Sequence, residues 1–201
     1  KKYKNKIMNK NEDLFDEFGR CLLVESQNPV HKISRRYFKI NSVNLNFEKI
    51  YNNLKNFLDP STSLSLEEFK EKSEKIITKL RENNKLSNIL NGVGVPFFLP
   101  NRKHEDIGDE LEKNYLISLT NSFKGENPNN EFVNHSNESL SGSISVNKDT
   151  RHDKLIKKLQ EETIVGYYFP SLLEFSFPAA IDALNSLPED FYLAGGYDTC
   201  A

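Results

Sequence analysis

Apolar side chains recur three and four residues apart along much of the chain, which is the spacing of one helix face. In the clearest stretch the positions that share a face are Phe47, Ile50, Tyr51, Leu54, Phe57 and Leu58. A second helical stretch follows the break at Asp59-Pro60, and it starts with the capping-box sequence Ser65-Leu-Glu-Glu68. The pattern therefore predicts an early antiparallel helix pair joined by a short loop.

The same spacing, with clear start and stop signals, predicts several further helices. They are expected from Glu12 to Ser26, up to Gly92, from His152 to about Thr163, and from Ser176 to Leu187. A further helix is expected to start near Asp106, with Ile107, Leu111, Tyr115 and Leu119 at a spacing of four. The apolar stretch Ile164 to Phe177 is interpreted as buried helix. By contrast, Val93 to Pro100 contains two prolines, which predicts an extended connector across the core rather than a strand.

The segment 124–151 differs from the rest, because it is rich in Gly, Asn and Ser and poor in apolar residues. It predicts a long polar loop with at most one small β-hairpin, formed by Phe132-Val133 and Ile144 to Val146. A loop of this length in a compact domain is usually functional or mobile. Whether it is ordered is left open by the sequence.

Together these patterns predict a mainly α protein with a single irregular multi-helix domain over residues 12–201. The chain has 201 residues, 37% of them apolar and 28% charged, which is enough to form one large core. Residues 1–11 carry five lysines and no apolar face, so they are expected to be a flexible lead-in. The domain is expected to continue past Ala201.

Charge and cysteine content narrow the functional classes. A net charge of −2 gives no reason to expect nucleic acid as a partner. The longest apolar region, Thr163 to Leu184, is interrupted by charged residues and prolines, so no transmembrane segment is expected. The two cysteines favour a reducing, cytoplasmic compartment. The four histidines lack metal-ligand spacing and the glycine pairs lack a phosphate-loop pattern, so we expect no metal and no cofactor.

A basic stripe is the main candidate binding site. If the segment 31–39 is helical, then Lys32, Arg35, Arg36 and Lys39 share one face. Such a stripe can bind phosphates, an anionic lipid surface or an acidic protein partner. A solvated helix face that pairs with nearby Glu side chains is the alternative interpretation.

Glu174 is the first candidate for catalysis, because it stands alone in the apolar sequence Ser171-Leu-Leu-Glu-Phe-Ser-Phe177. A carboxyl surrounded by apolar side chains has a raised pKa and can act as a general acid or base. A Glu that reaches solvent, or one that pairs with a lysine, is the alternative.

Cys200 is the second candidate, because a thiol at a helix N-terminus gains acidity. Asp198-Thr-Cys200 follows the apolar Phe191 to Ala194, and His135 lies earlier in the chain. This arrangement resembles the caspase-type cysteine peptidases, in which an apolar strand ends on D-x-C and an earlier His-Gly supplies the base. The chain departs from that family at Gly195-Gly196 and at Ser136, which stands where the family has Gly. An ordinary buried cysteine is the alternative.

These observations leave three hypotheses for function. The first is a non-catalytic helical interaction module that binds a protein partner or an anionic, phosphate-bearing surface. In composition, such Asn- and Lys-rich helical chains resemble secreted effector proteins of intracellular bacteria, and that resemblance implies delivery into a host cell. The second is a hydrolase or transferase that uses Cys200 with His135, or Glu174. The third is a structural spacer within a larger protein.

Overall fold

A computed structural model describes residues 13–22, 44–135, 138–173 and 175–201. Helices dominate this part of the chain, and its strands form one two-stranded antiparallel sheet. The prediction of a mainly α fold is confirmed. By its contacts the chain divides into two compact units: residues 1–43, 77–94 and 169–191, and residues 44–76, 95–168 and 192–201. The prediction of one domain over residues 12–201 stays a prediction.

Both of the early helices are present. Helix α1 (Phe47–Asn53) starts at Asn46, whose side chain accepts the N–H of Lys49 at 3.0 Å, and it continues as a π-helical turn over Leu54–Leu58. Helix α2 spans Leu66–Glu82. Its predicted capping box is confirmed, because the Glu68 N–H donates to Ser65 Oγ at 3.1 Å and the Ser65 N–H donates to Glu68 Oε2 at 2.8 Å. The antiparallel arrangement of the pair stays a prediction.

The later helices lie near the predicted signals, except the last of them, which was not predicted from the sequence. They are a 3₁₀ helix over Ser87–Asn91, α3 (Ile107–Glu110) with a π-helical turn at Leu111–Tyr115, α4 (Leu116–Glu126), α5 (Arg151–Leu159), α6 (Phe177–Ser186) and α7 (Gly196–Cys200). The side chains of Asp106 and Ser176 accept N–H groups in the first turns of α3 and α6. The predicted helix starts at these two residues are therefore confirmed.

The sheet corrects two predictions. Strand β1 (Val95–Leu99) pairs antiparallel with β2 (Ile164–Tyr168), where a connector and a buried helix were expected. In a two-stranded sheet each strand is hydrogen-bonded along only one edge. Strand β1 therefore tolerates Pro96, which has no N–H to donate. Phe97 pairs with Gly166, and a Cβ on that glycine would lie 2.7 Å from the Phe97 ring. The ring therefore packs directly over the glycine.

The segment 13–22 corrects a third prediction, because it is a turn rather than helix. Phe15 and Cys21 form an antiparallel bridge. Asp16 Oδ1 accepts the N–H groups of Phe18 and Arg20, each at 3.0 Å. Gly19 has φ +81°, and a Cβ there would lie 2.7 Å from a neighbouring backbone nitrogen. An Asp side chain that bonds the following backbone stabilises a turn in competition with helix.

The connection between α4 and α5 has turns but neither helix nor strand over residues 127–135 and 138–150. The hairpin expected from Phe132-Val133 and Ile144 to Val146 is absent from these described residues. Phe132 instead packs on Phe123, with ring centroids 5.7 Å apart, and Ile144 packs on the core. Isolated apolar residues in this connection contact the helices, which a pattern search for strands does not anticipate.

The second of the two units contains an aromatic core. Phe69 is fully buried, and its ring centroid lies 5.9–6.1 Å from those of Phe47, Tyr51 and Phe98. The Tyr51 hydroxyl donates to the carbonyl of Leu64 at 2.6 Å, so this polar atom is satisfied inside the core. The face predicted from apolar spacing over 47–58 thus packs into this core, except for Phe57, whose side chain is 37% exposed.

Candidate functional site

The C-terminal helix α7 lies in the region where the sequence predicted a reactive thiol. Asp198 folds back onto the start of the helix, where its Oδ1 accepts the N–H of Gly195 at 2.9 Å. Cys200 is the last residue of α7, not the first. Helix C-termini carry partial negative charge, which disfavours a thiolate. The position is the reverse of the one that the thiol hypothesis required.

The electrostatic environment of Cys200 acts in the same direction. Burial raises the pKa of the Cys200 thiol, and the nearby Asp198 carboxylate raises it further. An activated nucleophilic cysteine has a lowered pKa, commonly through an adjacent cation. His135, the expected base, is exposed in the α4–α5 connection, and among the described residues no hydrogen bond or ring contact joins it to Cys200.

Two other histidines do lie beside α7, although no pattern in the sequence indicated a role for either. His104 Nδ1 is 3.1 Å from the carbonyl of Arg102, and Nε2 is 3.3 Å from the Tyr197 hydroxyl, which also donates to the carbonyl of Ile107 at 3.3 Å. Tyr197 also stacks on Tyr115, with centroids 4.4 Å apart and planes 4° apart. Burial raises the pKa of Tyr197, so its phenol stays neutral and acts as a hydrogen-bonding group rather than a base.

The second histidine, His152, lies near the first residues of α7. Burial raises the pKa of the Asp198 carboxyl, and the hydrogen bonds that it accepts from the backbone of Gly195 and Asp198 oppose that shift, with a smaller opposing contribution from the nearby His152. The His152 ring makes an edge contact with Tyr192, and a Cβ on Gly195 would lie 3.3 Å from its Nε2. This glycine lets the backbone approach the imidazole. No spacing in the sequence links His152 to Gly195 or Asp198, so only the tertiary structure shows that His152 lies beside these two residues.

Two of the predicted sites cannot be placed in the structure. The basic stripe, Lys32, Arg35, Arg36 and Lys39, lies outside the described residues, as does Glu174. Predictions about these residues stay predictions. No group of three or more His, Cys, Asp or Glu side chains that could hold a metal ion occurs among the residues that are described.

An exposed apolar surface in the first unit was not singled out by the sequence. Phe177, the first residue of α6, is 75% exposed, Ile181 one turn later is 36% exposed, and Leu173 in the preceding turn is 43% exposed. Ala179 and Ala183 are buried on the same helix. Small residues therefore face inward on α6, and large apolar residues face outward. We call Leu173, Phe177 and Ile181 the apolar ridge.

No known family, characterised protein or solved structure matches this chain. Functional inference therefore depends on the geometry of the described residues. Within the same part of the chain, no helix is both long enough and apolar enough to cross a bilayer.

Alkylation of the two cysteines tests the thiol hypothesis directly. We expect iodoacetamide to modify Cys200 slowly at pH 7, with a rate that keeps rising with pH beyond the range where an ordinary thiol levels off, because burial and Asp198 raise the pKa of this thiol. Cys21 is 4% exposed, and burial raises its pKa to about 12, so it should stay unmodified in the folded protein. Mass spectrometry of wild type, Cys200→Ser and Cys21→Ser assigns each signal. Rapid modification of Cys200 below pH 7 would restore the peptidase hypothesis.

Proposed function

We propose that the protein is a non-catalytic helical interaction module that binds a protein partner, and that the apolar ridge is its contact surface. The observation that carries the proposal is the exposure of Phe177. An aromatic side chain of this size, three-quarters in water and next to another exposed apolar residue, is typical of a binding surface. Aromatic residues also contribute most strongly to the affinity of protein interfaces.

The charge of the surrounding sequence favours a particular partner. From Thr163 to Ala201 the chain has no Lys, Arg or His, and its acidic residues are Glu174, Asp182, Glu189, Asp190 and Asp198, so its net charge is −5. The whole chain carries −2, so residues 1–162 carry +3. An apolar surface in an acidic segment complements an amphipathic helix with flanking Lys or Arg. The same acidity opposes contact between the ridge and an anionic lipid surface.

Cations from elsewhere in the chain do approach this segment. The guanidinium carbon of Arg20 lies 5.0 Å from the ring centroid of Phe175. Lys79 Nζ lies 4.0 Å from Asp190 Oδ2, with both side chains about four-fifths exposed. An exposed pair at this distance contributes little, because water screens it and both side chains lose rotamer freedom on pairing. We still expect a basic partner to be favoured, because residues 163–201 contain five acidic residues and no Lys, Arg or His of their own.

A library of displayed peptides tests the proposal, because it presents many candidate helices to the ridge at once. We expect the selected peptides to have apolar residues three and four positions apart with Lys or Arg on either side. Phe177→Asp should weaken their binding by about 10- to 100-fold, as expected for loss of a central aromatic contact. Binding should also weaken at higher salt, since exposed charges are screened.

Ile117 provides the matched control, because it is 53% exposed on α4, away from the ridge in sequence. Ile117→Asp should leave peptide affinity unchanged, and circular dichroism should show both variants folded. Equal losses in the two variants, or a library that yields no specific binder, would contradict the proposal. Self-association that Phe177→Asp abolishes, measured by sedimentation, would identify the partner as a second copy and overturn the choice of a basic helix.

The alternative anionic-surface function depends on Lys32, Arg35, Arg36 and Lys39, and it stays a prediction. The hydrolase or transferase alternative likewise depends on Cys200 and Glu174. Neither gains support from the described residues, and the position of Cys200 at the end of α7 favours the interaction module. The resemblance to secreted bacterial effectors, and a cytoplasmic location, remain hypotheses.

A further inference from the structure

Residues 138–144, in the middle of the α4–α5 connection, are attached to the α3 region by two carboxylates. Glu112 Oε2 accepts from the hydroxyl of Ser139 at 2.7 Å and from the N–H of Leu140 at 2.9 Å. Asp106 Oδ2 accepts the N–H of Gly142 at 3.0 Å. Three donors from one short segment therefore converge on two acidic side chains.

The segment also fits closely against the backbone of α3. A Cβ on Gly108 would lie 1.8 Å from the carbonyl oxygen of Leu140, so only glycine allows this approach. Leu140 and Ile144 pack, partly buried, against the hydrophobic core. The segment thus covers part of the apolar surface through Leu140 and Ile144, and its hydrogen bonds to the α3 region are accepted by acidic side chains.

The segment has a shape of its own, independent of these attachments. The Ser143 N–H donates to the carbonyl of Leu140 at 3.0 Å, and the Ser143 hydroxyl donates to the carbonyl of Ser139 at 3.2 Å. Among the described residues on either side, 133–135 and 147–150 are exposed. A compact turn with exposed flanks can detach as one unit while the helices stay folded.

We propose that residues 138–144 are a charge-sensitive strap, held closed by the carboxylates of Asp106 and Glu112 while the Ser139 hydroxyl is unmodified, and that its release uncovers the apolar surface beneath Leu140 and Ile144. Either loss of the charge of Glu112 or a new negative charge at Ser139 opens it. The added charge acts by repulsion from Glu112 and by loss of the hydroxyl donor. This inference is independent of the apolar ridge.

Other charged groups around the strap set the direction of its pH response. The hydrogen bonds from Ser139 and Leu140 lower the pKa of Glu112, and the neighbouring Asp109 opposes that shift. Lys113 pairs with Asp109 at 2.6 Å, Glu138 lies on the strap itself, and Asp106 acts on the buried Tyr197. Because the folded pKa of Glu112 is lowered, its contribution is complete above the ordinary range of a Glu carboxyl and is lost as the pH falls through the lowered value.

Amide hydrogen exchange of the full chain tests the strap. In Asp106→Asn/Glu112→Ala, exchange of the Leu140 and Gly142 amides should accelerate by about tenfold or more, since each loses a charged acceptor. Asn retains the cap of α3 through its side-chain oxygen and removes only the acceptor for Gly142. Protection in α2 should not change, which separates strap opening from unfolding.

Ser139→Asp decides the same question should the double variant unfold, because it changes one exposed side chain. It should accelerate exchange at Leu140 and Gly142 and increase the fluorescence of an apolar dye. Ser145→Asp adds the same charge at an exposed position just beyond the strap and should do neither. Exchange at Leu140 and Gly142 that is unchanged in Ser139→Asp, or that rises equally in Ser145→Asp, would overturn the proposal.

Discussion

Replacing Arg102 with alanine is expected to lower the free energy of unfolding by about 3–5 kcal/mol, because it leaves a buried carboxylate without its cation. Arg102 Nη1 donates to Glu110 Oε1 at 3.2 Å, and the Glu110 side chain is only 8% exposed. Arg102 Nη2 also donates to the carbonyl of Leu58, and Asn114 donates to the second oxygen of Glu110 at 2.6 Å. One guanidinium therefore satisfies two acceptors.

Urea denaturation followed by circular dichroism measures the effect of Arg102→Ala. Lys75→Ala is the control, because Lys75 pairs with Glu71 on the surface of α2 with both side chains about two-thirds exposed, and its loss should cost less than about 1 kcal/mol. Arg102→Ala/Glu110→Gln should be more stable than Arg102→Ala alone, since the amide carries no charge to bury. A loss in Arg102→Ala no larger than that of Lys75→Ala would show that the pair is not buried in solution.

Replacing Phe69 with alanine is expected to destabilise the protein by about 3–5 kcal/mol through the loss of apolar contacts and the cavity that remains. Its side chain is inaccessible to solvent and packs against three other aromatic rings. Neighbours that come from separate elements cannot all move inward to fill the space. The midpoint of urea unfolding should therefore fall sharply.

Phe57→Ala is the control for Phe69→Ala, because it removes the same atoms from a side chain that is 37% exposed. Phe57→Ala should lower the free energy of unfolding less than Phe69→Ala does, because the Phe57 side chain buries less apolar area when the wild-type protein folds. Similar losses for the two variants would contradict the aromatic core described around Phe69. The pair of variants thus tests burial rather than residue type.

Local signals in the sequence predicted local structure well. The Ser65–Glu68 capping box and the helix starts at Asp106 and Ser176 are formed by side chains that bond backbone groups three residues away. Such contacts need no distant partner, so their residues can be recognised in the sequence. The mainly α fold class follows from the same short-range periodicity.

Signals that depend on a distant partner led to the wrong predictions. The stretch from Ile164 was expected to be helical, yet it pairs with Val95–Leu99, where Gly166 accommodates the ring of Phe97. An apolar run of five residues fits a buried helix and a strand equally well, and only the pairing distinguishes them. In the segment 13–22, the N–H groups of Leu14 and Cys21 donate to the carbonyls of Lys85 and Ser171, so partners far along the chain hold a turn where the pattern predicted a helix.

The candidate sites divide in the same way. The sequence by itself determined the helical class, the helix starts and the acidic character of residues 163–201, because these depend on composition and on neighbours along the chain. Only the tertiary structure decided that Cys200 ends its helix, that His152 lies beside Asp198, that Phe177 is exposed and that Glu112 binds the strap. Each of these features depends on burial or on contacts between residues far apart in the chain. The free energies of burial and of such contacts are set by tertiary packing, which the spacing of residues in the sequence does not specify.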